Sequence, residues 1–149
     1  NYINSALIKM EAILAGFAEG IALDSNGHVS EGSGENIILI QDGVLYTPPI
    51  SSSILPGITR DSVLKLAKEN NYTVMEQTIP REMLYLADEI FLTGTAAHLT
   101  PVGQIDHRNI RDGEVGPITK ELSRLYFQIV RGDNSKYIDF CTPVSPNGK

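Results

Sequence analysis

Ser30-Glu31-Gly32-Ser33-Gly34-Glu35-Asn36 runs directly into Ile37-Ile38-Leu39-Ile40, and the reading of that junction decides the fold. The apolar run is short, β-branched and uninterrupted, as a buried strand is. The stretch before it holds two carboxylates, an amide and several residues with little or no side chain. Gly32 and Gly34 lack a Cβ, so the backbone can turn sharply there and a flat ligand can approach it closely. Two readings stay open on these residues alone: a surface turn entering a strand, or a small site with Glu31 and Glu35 as its acids. A dinucleotide loop is excluded. Gly32-Ser33-Gly34 begins the G-x-G-x-x-G pattern, but Ile37 replaces the third glycine, and a strand-like run follows where a helix N-terminus is required.

The chain has 149 residues, enough for one domain with a real core. It opens on Asn1 and not on Met, which leads us to expect a domain of a longer chain. The N-terminus has neither the basic nor the apolar segment of a signal peptide, and no apolar run reaches membrane-spanning length, so a soluble cytoplasmic protein is expected. The single cysteine, Cys141, excludes an internal disulfide framework and reads as a tail thiol. His28, His98 and His107 are scattered without ligand spacing, and no metal is expected. Asp24-Ser25-Asn26-Gly27 reads as a hairpin turn, since no closing Glu completes a calcium loop. A net charge of −6 argues against a nucleic-acid surface. Any bound anion must be held locally.

In chain order, Ile3, Ala6, Leu7, Met10, Leu14 and Phe17 recur at helical spacing up to Gly16, predicting a first helix with one face on the core. Residues 21–23, 29–30, 37–40 and 44–46 read as short strands of an antiparallel sheet or meander, broken at Asn26-Gly27 and Asp42-Gly43. Leu55-Pro56-Gly57-Ile58-Thr59-Arg60 then leads into a helix carrying Val63, Leu64, Leu66 and Ala67 and stopping at Asn70-Asn71. Its start offers unpaired N–H groups and one hydroxyl, which suits a phosphate, although Thr59 could equally be an ordinary cap. A strand at 72–77 and a short helix at 81–86 precede the strand Glu89-Ile90-Phe91-Leu92. This strand ends in Thr93-Gly94-Thr95-Ala96-Ala97-His98, a turn able to grip an anion or simply to cap itself. Ile118, Leu122, Leu125, Tyr126 and Ile129 share a face of a last helix ending at Gly132. Residues 133–149 read as a loosely attached tail.

The set Glu31-Gly32-Ser33-Gly34-Glu35-Asn36, Leu55-Pro56-Gly57-Ile58-Thr59-Arg60 and Thr93-Gly94-Thr95-Ala96-Ala97 with Thr100-Pro101-Val102 closely resembles the class IV pyridoxal-phosphate aminotransferases. Among them, the branch acting on branched-chain L-amino acids matches best. The resemblance implies an α/β (α+β) fold, the fold-type IV C-terminal domain: a mixed sheet or pseudo-barrel with surrounding helices. Residues 1–132 would be that cofactor-binding domain, and the smaller N-terminal domain would be absent.

By the same resemblance, Glu31 pairs with the pyridine nitrogen of pyridoxal 5′-phosphate and Tyr2 with its phenolic oxygen. Gly57, Ile58, Thr59 and Thr95 hold the phosphate, and Leu55 lies against the ring. Thr95 and Ala96 receive the substrate carboxylate, while Glu35 and Asn36 support the turn without touching ligand. The family's Schiff-base lysine is expected just before Asn1-Tyr2, and Lys9 is not its substitute, so this chain alone is expected to be inactive. The implied reaction moves an amino group between leucine, isoleucine or valine and 2-oxoglutarate, in a parent that forms homo-oligomers. A D-amino acid aminotransferase or aminodeoxychorismate lyase of the same fold is the alternative, as is a non-catalytic phosphate- or nucleotide-binding module. His98, where this branch often carries an acid, and Gly103-Gln104 depart from the pattern.

Overall fold

The computed structural model describes residues 2–142. Asn1 and the 143–149 part of the expected tail lie outside them. The centre is a five-stranded mixed sheet in the order β5-β4-β3-β6-β7, built from β3 (Asn36–Gln41), β4 (Val44–Thr47), β5 (Thr73–Glu76), β6 (Glu89–Gly94) and β7 (His98–Pro101). All its pairings are antiparallel except β4 with β5, which is parallel because α2 (Ile58–Glu69) carries the chain across between them.

Both faces of this sheet are covered, which is why β3 and β6 carry uninterrupted apolar runs, 37–40 and 90–92. Ile38, Ile40 and Phe91 point to one side, against Val63, Leu64, Leu66 and Ala67 of α2 and Leu122, Leu125 and Ile129 of α4 (Pro117–Val130). Ile37, Leu39, Ile90 and Leu92 point to the other, against Val29, Ile79, Leu84, Ile105 and Ile110. Leu84 belongs to the four-residue helix α3 (Met83–Leu86).

The sequence expectations fail in three places. The first four strands do not form one sheet: β1 (Ile21–Leu23) and β2 (Val29–Gly32) pair only with each other, as the Asp24 turn dictates, and β3 turns away to pair with β6. The helix α1 (Tyr2–Leu14) forms and ends before Gly16 at φ 84°, but only Ala12 on it is buried, and the stripe read as its core face is exposed. Finally, residues 135–140 are attached firmly. They form two 3-10 turns joined by a kink at Tyr137, which is 3% exposed within the α2/α4 core and whose hydroxyl accepts from Asn70 Nδ2 at 3.1 Å and from Lys136 Nζ at 2.9 Å. Apolar area removed from water fixes this segment, although polar residues and prolines crowd around it in sequence. Cys141 packs against the same cluster, and its thiol donates to Ile129 O at 3.3 Å.

Candidate active site

Asn36, the first residue of β3, is the point where the three sequence stretches meet. It is 5% exposed, and its amide nitrogen donates to Leu55 O at 2.8 Å and to Glu31 Oε2 at 3.2 Å. The same Glu31 oxygen accepts from Leu55 N at 2.8 Å. Across the sheet, Asn36 stands in register with Thr93 of β6, whose hydroxyl is buried without a hydrogen-bond partner among the described residues. The acid, the approach to α2 and the end of β6 are thereby joined through one side chain.

Glu31 is carried on β2, half-buried, where the sequence suggested a loop. Burial pushes its carboxyl above the ordinary glutamate range, and the Leu55 N–H only partly opposes this. The turn after it is held from within. Gly32 N donates to Glu35 O at 2.7 Å, and Gly34 N to Glu35 Oε2 at 3.1 Å. A Cβ at Gly94 would lie 3.4 Å from both Glu35 Cγ and Gly34 O, so the end of β6 rests on this turn and delivers the exposed Thr95 and Ala96 beside it.

The start of α2 supplies the opposite polarity. Its N-cap is Gly57, and no side chain caps the helix, which removes the reading of Thr59 as a plain cap. The N–H groups of Ile58, Thr59 and Arg60 belong to the first turn, where no intrahelical acceptor exists, and the helix dipole adds partial positive charge. Ile58 and Leu55 are exposed and Thr59 is buried. A Cβ at Gly57 would stand 2.2 Å from Asn36 Oδ1, so only glycine lets the helix start this close to the amide. Arg60 contributes no free cation. Its buried guanidinium bonds Glu76 Oε2 at 2.8 Å and Pro48 O at 3.0 Å.

Half of this chain and more, residues 1–105, matches the family model described as amino-transferase class IV. The chain belongs to the class IV aminotransferase family. It is 49% identical over 145 residues to the branched-chain-amino-acid aminotransferase of Salmonella typhimurium, covering 97% of this chain and 47% of that protein. The solved T.th. branched-chain amino acid aminotransferase complexed with N-(5′-phosphopyridoxyl)-L-glutamate superposes with a TM-score of 0.92 at 47% identity, over 97% of this chain and 49% of that one. The Thermoproteus uzoniensis branched-chain aminotransferase with norvaline gives 0.91 at 44% identity, over 97% and 48%. This class IV aminotransferase chain thus spans about half the length of the curated relatives it matches.

Two residues of α1 bear on the expected site: Tyr2, expected at the cofactor's phenolic oxygen, and Lys9, not expected to replace the Schiff-base lysine. Tyr2 lies exposed in the first turn of α1. Lys9, also on α1, is engaged elsewhere, its Nζ donating to Ala18 O and Glu19 Oε2, each at 2.7 Å. Glu19, which the sequence reading passed over, also accepts from Ser33 N at 3.4 Å and so ties α1 to the turn beside Glu31. Lys9 holds the Glu19 carboxyl below the ordinary range against the opposing pull of burial. His98 adopts φ 51° and packs its ring 5.3 Å from that of Phe127. A cavity of about 360 Å³ beneath α1, lined by Ile8, Ala12, Phe17, Ile21, Leu84 and Ile105 among others, shares no lining residue with the Asn36 junction. Among the described residues no cluster of three or more His, Cys, Asp or Glu is placed to hold a metal ion, and no helix is long and apolar enough to cross a membrane.

Proposed function

We propose that this chain is the cofactor-binding half of an enzyme that transfers an amino group between branched-chain L-amino acids and 2-oxoglutarate, using pyridoxal 5′-phosphate. Beside the family, one observation supports the reading: Asn36 joins the Glu31 carboxylate to the segment that opens α2. A carboxylate and an uncapped helix start, flanking one amide, fit the two poles of a phosphorylated pyridine ring. The donor set is apt for the group, since peptide N–H groups and a helix dipole hold a dianion in an acidic chain without clustered lysines.

When bound, the cofactor supplies an electron sink for the pair released at the substrate α-carbon. Glu31 holds a proton on the ring nitrogen, and its half-buried setting strengthens that attraction. Asn36 and the Leu55 N–H fix the carboxylate's orientation. Ile58 and Thr59 present N–H groups to the phosphate, Gly57 keeps the approach open, and Thr95 completes the grip. Leu55 covers the ring. Thr95 and Ala96 orient the substrate carboxylate from the turn beside Glu35. Tyr2 donates to the phenolic oxygen. The Schiff-base lysine comes from polypeptide ahead of Asn1, together with the smaller domain and an oligomeric, cytoplasmic setting, and the chain alone is inactive.

The test is Glu31→Gln in the longer protein that carries the upstream lysine, assayed with leucine, isoleucine, valine and D-alanine as amino donors. Turnover with the three L-substrates falls far more than cofactor affinity does, and D-alanine is not used. Equal losses in turnover and affinity refute the role of Glu31, and preference for D-alanine refutes the substrate class.

A further inference from the structure

The first turn of α2 is held from beneath by a residue that the cofactor chemistry leaves unused. Backbone donors grip an anion only while they stay convergent, so whatever fixes the turn also sets the grip. No side chain caps this helix, and Gly57 ahead of it has none to give. Arg60 is the third residue of the turn, and its side chain runs back into the sheet, 6% exposed. Its Nε donates to Thr47 Oγ1 at 3.3 Å, and its Nη2 to Pro48 O at 3.0 Å and to Glu76 Oε2 at 2.8 Å. Thr47 and Glu76 are the last residues of β4 and β5 and stand in register with each other. These are the two strands that α2 connects, so one guanidinium clamps the start of the crossover helix to both strand ends. Thr47, wholly buried, donates its own hydroxyl to Ile37 O at 2.9 Å, next in sequence to Asn36. The helix start and the site amide thereby share one frame.

We propose that Arg60 is a positioning residue for phosphate binding: through Thr47, Pro48 and Glu76 it sets the direction of the Ile58 and Thr59 N–H groups without touching the phosphate. A planar guanidinium suits this task, because its donors leave in fixed directions and meet three acceptors at once. Its charge is matched by Glu76, so the polarity offered to an anion comes from the peptide dipoles of α2. Arg60 has this role only if the start of α2 is the phosphate seat proposed above.

The test uses the longer protein that carries the upstream lysine, with absorbance titration giving dissociation constants for pyridoxal 5′-phosphate and for pyridoxal. The two ligands share ring and aldehyde, so the ratio of their affinities isolates the phosphate grip and cancels a general weakening of the fold. Arg60→Met lowers the preference for the phosphorylated ligand about ten-fold or more, while pyridoxal affinity moves by less than about two-fold. Glu76→Ala removes one acceptor at a half-exposed position and lowers the preference about three-fold; it decides alone if Arg60→Met does not fold. Equal losses for both ligands overturn the proposal and leave Arg60 as general support. A preference that rises in Glu76→Ala also overturns it, because a cation acting at a distance gains from losing its counter-charge. If the unsubstituted protein has no preference for the phosphorylated ligand, the phosphate seat itself falls and this role with it. If it has one and both variants keep it, only the role of Arg60 falls.

Discussion

Replacing Gly57 with alanine places a methyl group 2.2 Å from Asn36 Oδ1 and 3.4 Å from Asn36 Cγ, far inside van der Waals contact. The Arg60 Cβ, at 3.7 Å, is not affected, so the amide of Asn36 must move. Moving it breaks the bond to Leu55 O and the bond to the Glu31 carboxylate. A neutral hydrogen bond contributes about 0.5–1.5 kcal/mol and one to a charged group about 1.5–3, so Gly57→Ala costs about 2–4 kcal/mol. Urea unfolding followed by far-UV circular dichroism measures this. Gly34→Ala is the control, because a Cβ there meets nothing within 4 Å, and it shifts stability by less than about 0.5 kcal/mol. The decisive arm is a double-mutant cycle. In an Asn36→Ala background the obstruction is gone, and Gly57→Ala costs less than about 1 kcal/mol. Additive losses, or a single-variant loss within about 0.5 kcal/mol of zero, would falsify the assignment of Asn36 as the obstructing group.

Three further outcomes follow from the same geometry. Glu31 titrates above its unfolded value, so the folded state binds the proton more tightly; its contribution is fully present below the unfolded pKa and is lost as pH rises through the folded one. Glu31→Gln, which still accepts from Leu55 N, removes that decline, and urea unfolding across this pH range shows the variant gaining on the parent as pH rises. Gly116→Ala puts a Cβ 2.1 Å from Glu89 Cδ and dislodges the buried carboxylate that accepts from Ile118 N at 3.1 Å and Thr119 N at 2.7 Å. It costs about 2–4 kcal/mol, with α4 amides losing hydrogen-exchange protection first; unchanged protection contradicts the role given to Glu89. Tyr137→Ala costs about 3–5 kcal/mol by the same denaturation assay, and a loss under about 1 would restore the loose tail.

What the sequence disclosed depended on how local the cause was. The runs at 37–40 and 89–92 announced the central strands because a strand covered on both faces needs no alternation. Asp42-Gly43 was legible as a turn, since its φ values of 51° and 75° suit an Asp-Gly pair. The hairpin of β8 (Gln104–Ile105) and β9 (Arg108–Asn109) was not, because Asp106 and His107 adopt φ 48° and 62° without a glycine to signal it. At the site, the acid and the helix start were each visible as motifs. Their connection through Asn36 was not, because hydrogen bonds reaching 5 and 19 residues along the chain leave no periodic trace. The partners of Glu89 and Arg60, both named within motifs, were hidden for the same reason: each is buried against other elements. The exposure of α1 was hidden because periodicity reports that a helix has an apolar stripe, not what covers it.

The tight fit between Gly57 and the Asn36 amide also constrains the history of the chain. A bulkier residue at position 57 is admissible only after position 36 has shrunk, and shrinking position 36 first frees the Glu31 carboxylate from one of its two donors. Each step alone lowers stability through the contacts it disturbs. The two positions are therefore interlocked, and a larger residue at 57 is tolerated only in a background where 36 is already smaller.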